Sequence, residues 1–353
     1  MTSKNTLLSR AIEEYLEYRS ARYSEATVRG EAHALAYFAT WYGRDVQVQS
    51  LRPEKVEAWF TELRSPHTTP NRVHRPPVSA NTHNVYRKRM RAFFSWLTRR
   101  GALKVDLLAE VPALSVHRRQ RIQPPPSVLA DLPNHATNAR DRALIALSVN
   151  TGLRRNSVLL LTVEDVDLDE GWLRVQITKS HRDDAFPISS DLEPELHRWL
   201  RQYAKDLGRP LNGQEWLLPA RTGPRITWTT QEDGTKARGH TAGSWVPERA
   251  MTHPERVIQD ALRSAGLDIG AGEGMHTIRR GLARAFFDSL SEQGHDSAIK
   301  DVGAMLHHSN SSTTEVYLGL SQEVERRNAL IRGRPLLSTM TDEPVAKVIN
   351  LRL

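Results

Sequence analysis

The stretch Leu306-His307-His308-Ser309-Asn310-Ser311-Ser312-Thr313-Thr314-Glu315-Val316-Tyr317 sets a histidine nine residues before a tyrosine. Upstream stands His276-Thr277-Ile278-Arg279, and far upstream again Thr151-Gly152-Leu153-Arg154. Arginine, then His-x-x-Arg, then histidine, then tyrosine is a set suited to attack on a phosphodiester by a phenolic oxygen. Guanidinium grips phosphate oxygens through paired donors and stays charged, and imidazole moves protons near neutral pH. Each residue also has a plainer reading. A tyrosine among apolar neighbours is usually packing, Arg154 could cap a helix, and Arg279 beside Arg280 or His276 could simply face solvent.

Working outward, the chain of 353 residues is long enough for two domains, each with its own core. Lys and Arg number 49 against 41 Asp and Glu, a net charge of +8 that favours a polyanionic partner, nucleic acid or an anionic membrane surface. No run of about 18 apolar residues occurs, and Met1-Thr2-Ser3-Lys4-Asn5 lacks the apolar core of a signal peptide. A membrane is therefore not expected. The absence of cysteine excludes disulfides, a thiolate nucleophile and cysteine-ligated zinc, and suits a reducing cytosol.

The first 110 or so residues read as four helices. Ile12, Tyr15, Leu16 and Arg19 have helical spacing in the first. Ser24 could cap a second, through Ala34, Leu35, Phe38 and Trp41 to a stop at Gly43. Pro53 suits the first turn of a third, with Val56, Trp59, Phe60 and Leu63 on one face. The fourth, Ser79 to Arg100, carries an apolar stripe of Tyr86, Met90, Phe93, Phe94 and Leu97, with Arg87, Lys88, Arg91 and Arg99 mostly opposite it. No acidic residue lies between Ser79 and Val105, so these cations lack the usual i,i+4 partners. A solvated face is the plain reading; a phosphate-facing helix fits the missing acids better.

Residues 115–126 hold Arg118, Arg119 and Arg121 and end in Pro124-Pro125-Pro126, a basic, proline-stiffened linker. Residues 1–114 then form the helical domain, 127–330 a second domain and 331–353 a tail. In the second domain Asp141 to Leu147 reads as an apolar helix, and Asn156 to Leu161 begins another. Trp172 to Ile177 alternates like a strand, with Ala185 to Ile188 as its partner across a polar turn. Residues 208–252, polar and rich in Gly, Thr and Trp, have no role assigned.

These residues and their order resemble the tyrosine recombinases, the phage integrase family, weakly over residues 5–112 and strongly over 140–325. The resemblance implies a mainly α fold with a small antiparallel β-sheet in the C-terminal domain. An N-terminal four-helix, SAM-like core-binding domain would precede the catalytic domain, and the linker would run along the DNA between them. It implies Tyr317 as nucleophile, supported by Ser311-Ser312-Thr313-Thr314 before it, and Arg154 and Arg279 on the non-bridging phosphate oxygens. His276 would take the tyrosine proton. His308 would donate to the scissile phosphate, and Lys179, in the turn after the strand, would protonate the leaving oxygen. A lysine in a turn is otherwise just solvated. His307 beside His308 raises a zinc alternative with His276, which adjacent histidines and the lack of a nearby carboxylate pair disfavour. No cofactor is expected, neither ATP nor Mg²⁺.

Three departures stand out. Ser157 occupies a place where the family carries an acid. Arg280 ends a motif that reads His-x-x-Arg-His elsewhere. His307 replaces the glycine of Leu-Gly-His. The expected function is site-specific recombination of double-stranded DNA by a self-associated tetramer, through a 3′-phosphotyrosyl link and a Holliday junction. The architecture would be Xer-like, with the start of the chain close to its first helix and little room for an arm-binding domain. The setting is cytoplasmic and nucleoid-associated, with accessory DNA-bending proteins as possible partners. Two other readings remain: a type IB topoisomerase, and a non-catalytic DNA-binding regulator on a recombinase scaffold.

Overall fold

The computed structural model describes residues 3, 5–69, 73–116, 121–177, 182–223, 225–230, 236–241, 243–270, 272–307 and 311–318. The chain divides into two compact units, Met1–Arg119 and Gln120–Leu353.

The first unit is helical: α1 (Leu8–Ser20), α2 (Glu25–Tyr42), α3 (Pro53–Leu63) and α4 (Ala80–Arg99), with a small hairpin, β1 (His67–Thr68) and β2 (His74–Arg75), between α3 and α4. The expected stripes form one core, in which Tyr15, Leu35, Phe38, Trp59, Met90, Phe93 and Leu97 are buried. Gly43 ends α2 at φ 81°, a left-handed conformation that glycine enters without steric penalty. Pro53 opens α3, where its missing N–H removes no hydrogen bond. Ser79 caps α4 by accepting from the Thr82 N–H at 3.1 Å, a bond of the kind worth about 1 kcal/mol. Ser24 sits at the start of α2 but makes no such bond; its hydroxyl meets that of Thr27 at 3.0 Å.

The second unit alternates helices with small antiparallel ladders. In chain order come α5 (Pro126–Asp131), α6 (Ala139–Thr151), α7 (Arg155–Leu159), β3 (Val166–Asp167), β4 (Trp172–Ile177), β5 (Arg182–Pro187) and α8 (Glu193–Leu207). There follow β6 (Pro219–Arg221), β7 (Arg225–Thr230), β8 (Lys236–Thr241), β9 (Trp245–Ala250), α9 (Pro254–Ser264), α10 (Met275–Glu292), α11 (Ala298–Met305) and α12 (Ser311–Leu318). Strands β3, β4 and β5 form one antiparallel sheet, and Trp172 pairs with Pro187 and Ile177 with Arg182, so the expected hairpin is there with one more strand beside it. The unassigned region 208–252 contains two further ladders, β6 with β9 and β7 with β8. Trp245 of β9 meets Trp199 of α8 edge to face at 5.3 Å, which ties that ribbon to the core. That core runs from Leu144 and Leu147 of α6 through Leu173 and Val175 of β4 to Leu196 and Trp199 of α8 and Ile278 of α10. No helix among the described residues is long and apolar enough to cross a membrane.

Candidate active site

Three segments distant in sequence meet around one buried guanidinium. Helix α6 stops at Gly152, whose φ of 59° is left-handed and whose missing Cβ leaves room for Leu282, since a Cβ there would sit 3.0 Å from Leu282 Cδ2. The turn sends the chain into α7 with Arg154 at its N-cap position. Arg279, in the first turns of α10, is 2% exposed, and its two terminal nitrogens donate to the carbonyls of Gly152 and Leu306. Arg154 Nη2 donates to the next carbonyl, that of His307, at 3.3 Å. Two arginines 125 residues apart thus grip consecutive carbonyls of the turn between α11 and α12. A planar fork held at two points, as that of Arg279 is, has a fixed orientation, which suits recognition of a tetrahedral anion.

His276 lies three residues before Arg279, on the same face of α10. His276 is exposed, but the surrounding chain partly desolvates its ring and lowers its pKa below the ordinary imidazole value, and the charges of Arg279, Arg280 and Arg154 push the same way, against Glu255. A neutral imidazole can accept a proton, which is the property a general base needs. Tyr317 is in the last turn of α12. That helix is anchored by Thr314 and Leu318, both buried, and Leu318 joins Ala283, Val302 and Leu306 in a small core between α10 and α11. Lys179 falls between the paired ends of β4 and β5. It lies outside the described residues, as do His308, Arg118 and Arg119.

The three departures have distinct surroundings. Ser157 is buried, and its hydroxyl donates to the Gln176 carbonyl of β4 at 3.3 Å. His307 has φ 49°, the one positive value among the described residues other than glycine. A left-handed turn at this position explains why glycine suits it. The His307 ring stands edge-on to Phe186 at 5.6 Å, with Nε2 3.5 Å from the Asp184 carboxylate, an ion-pair distance without hydrogen-bond geometry. Burial lowers its pKa, Asp184 opposes, and Arg279 and Arg154 lower it further. Arg280 is also buried. It donates to the Glu273 carboxylate, to Thr277 Oγ1 at 3.2 Å and to the Ile122 carbonyl at 3.1 Å. Burial pushes the Glu273 carboxyl up, but the Thr277 hydroxyl and the charges of Arg280 and Arg121 outweigh it and hold the group below its ordinary value. Glu273 escaped the sequence reading, although its spacing of four and three from Thr277 and Arg280 puts the three on one side of a helix.

The other cations predicted to face a polyanion differ among themselves. Lys88, Arg91 and Arg99 of α4 are exposed. Arg87 is half-buried, and its Nε donates to the Val111 carbonyl. Arg121 pairs with Glu273 at 3.3 Å. No cluster of three or more metal-ligating side chains occurs among the described residues.

The model of the phage integrase family matches residues 126–323. The tyrosine recombinase XerD of Ralstonia nicotianae is 29% identical over 256 residues, 69% of this chain and 70% of that protein. The tyrosine recombinase XerC of Xanthomonas axonopodis pv. citri is 23% identical over 318 residues, 88% of this chain and 92% of that protein. Among solved structures, a lambda integrase tetramer bound to a Holliday junction aligns over 89% of this chain and 77% of its own, with a TM-score of 0.59 and 13% identity, a likeness of fold.

Proposed function

The chain belongs to the phage integrase family, the tyrosine recombinases, and on that premise we propose that it cuts and rejoins double-stranded DNA at a specific site through a 3′-phosphotyrosyl link on Tyr317. Strands are exchanged one at a time through a Holliday junction, by a tetramer on two duplexes. The observation that supports this best is the convergence of Arg154 and Arg279 on the Leu306 and His307 carbonyls, immediately before His308 and on the turn that leads to α12. Arginines so fixed would hold the non-bridging oxygens and stabilise the charge that grows on them in the transition state.

The chemistry then runs in two balanced halves. His276 takes the phenolic proton while the Tyr317 oxygen bonds to phosphorus. The 5′ oxygen leaves with a proton from Lys179, and His308 donates to the phosphate. In the second half a 5′ hydroxyl of the partner strand gives its proton to Lys179 and attacks the phosphotyrosine, and the phenolic oxygen leaves with the proton that His276 returns, so the bond energy is kept and no nucleotide hydrolysis is needed. Lys88, Arg91 and Arg99, with Arg118 and Arg119 of the linker, would meet backbone phosphates away from the reacting bond, while Arg121, also proposed for that role from the sequence, is paired with Glu273. DNA of a nucleoid in the cytoplasm is the substrate this implies, and bending proteins are the partners it leaves room for.

Covalent trapping tests the reading. Nicked suicide duplexes cut from DNA flanking the gene are offered to the protein and to its Tyr317→Phe variant, and the products are resolved under denaturing conditions. A protease-sensitive adduct that vanishes in the variant is expected. Specific binding without an adduct would favour the regulator, and supercoil relaxation without strand exchange would favour the topoisomerase.

A further inference from the structure

Four consecutive residues in the second half of the linker each grip a different part of the site helices. Arg121 Nη1 reaches the Glu273 carboxylate at 3.3 Å. The Ile122 carbonyl accepts from Arg280 Nε at 3.1 Å. Gln123 Nε2 donates to the Leu318 carbonyl, at the end of α12, at 3.1 Å. Pro124 lies flat on α10, where a Cβ on Gly281 would fall 2.6 Å from its carbonyl oxygen. A glycine inside a helix is unfavourable unless something needs the space, and here a backbone fills it.

Helix α10 therefore has two working sides. His276 and Arg279 point to the site, while Glu273, Thr277 and Arg280, spaced by four and three, make the side that holds residues 121–122. Thr277 Oγ1 also accepts from the Gly274 N–H at 2.9 Å, which seats Glu273 against the first turn of the helix. Arginine at 280 has the length and the donors to hold a carboxylate, a hydroxyl and a carbonyl together. An isolated buried ion pair is no gain in stability by itself, so its geometry is the feature to explain.

We propose that Glu273, Arg280 and Gln123 are positioning residues that make residues 121–124 a strut between the first turn of α10 and the last turn of α12. The strut sets the distance between the His276–Arg279 face and Tyr317. Its effect on chemistry, though not its existence, rests on the function proposed above. A misplacement of about 1 Å at a reacting centre lowers rates by about 10²-fold, so a strut of this kind governs the cleavage step rather than DNA affinity.

The test uses the full chain with Arg280→Met and Gln123→Leu, the second chosen because it leaves the Glu273 pair intact if the first fails to fold. Hydrogen exchange is followed in peptides covering 275–282 and 311–318, and adduct formation is timed at saturating suicide duplex. In Gln123→Leu, and in Arg280→Met where it folds, amides of 311–318 should exchange about tenfold faster. Adduct formation should slow by about 10²-fold for Arg280→Met and about tenfold for Gln123→Leu, with DNA affinity within about threefold. The double variant Glu273→Gln/Arg280→Met, free of a buried unpaired charge, should recover thermal stability yet stay slow, which separates positioning from folding. Unchanged exchange at 311–318 in Gln123→Leu overturns the strut, as does a cleavage rate within about twofold of wild type for both single variants. Faster exchange with no adduct from the wild-type protein leaves the strut standing and sinks the recombinase chemistry instead.

Discussion

Helices α4 and α10 are both rich in arginine, and they use it in opposite ways. On α4, Lys88, Arg91 and Arg99 are exposed, with the apolar stripe holding the helix by its other side. On α10, Arg279 and Arg280 are buried and engaged by carbonyls or a carboxylate, and Arg284 is paired with Asp288 at 2.8 Å. Exposed cations act through a field that salt screens within about 8–10 Å. Buried guanidinium groups act through direction and distance, which salt hardly touches. The same side chain can therefore supply affinity in one unit and geometry in the other, and the two roles should fail differently.

The largest break in that contrast comes from Arg279→Lys. An ammonium keeps the charge but cannot span the Gly152 and Leu306 carbonyls as a planar fork does. Adduct formation should fall by about 10³-fold, while the salt dependence of DNA binding, read by titration at several ionic strengths, stays as in wild type. A variant that loses affinity and its salt slope together would put Arg279 in the same class as the α4 cations.

The reverse experiment replaces Lys88, Arg91 and Arg99 by glutamine together. Binding should weaken on specific and nonspecific duplexes alike, and the log–log salt slope should become shallower by about 3. The first-order cleavage rate at saturation should hold. An unchanged slope would mean that this face meets solvent alone.

The smallest effect is expected from pH. His276 is pushed below the ordinary imidazole pKa, so it stays neutral down past about pH 6.5. Adduct formation at limiting enzyme should be flat from neutral pH to that point and decline only below it. The linked stability has the same sign: an unfolded chain takes up the proton first, so the contribution is full above the ordinary value and lost as pH falls through the lowered one. A rate already falling above pH 6.5 would separate His276 from the proton transfer.

Much of the fold was legible because its signals are local. The stripe on α4, Pro53 at the start of α3, Gly43 after α2 and the alternation in β4 all act within a few residues. The ladders β6–β9 and β7–β8 were not legible, because Gly, Thr and Trp there show neither period and the pairing of β6 with β9 joins residues more than twenty apart. Helices α8 and α9 passed without notice between clearer motifs. For the site, order along the chain brought forward Arg154, His276, Arg279 and Tyr317. Arg280 looked like a blemish in a motif, since one of its partners, Ile122, lies 158 residues away and the other, Glu273, stands before the helix begins. Lys179, His308, the linker arginines Arg118 and Arg119, and the tail 331–353 lie outside the described residues.

The left-handed His307 has a consequence for the backbone where α11 ends. A glycine there would be a swivel, with many backbone states to lose on folding and little resistance to being turned. Histidine gives up about 1 kcal/mol to enter the left-handed basin, yet its unfolded chain has fewer states to lose, and the two effects nearly cancel. What remains is a backbone angle at the end of α11 with fewer ways to turn than glycine would give it, and an imidazole that stands edge-on to Phe186.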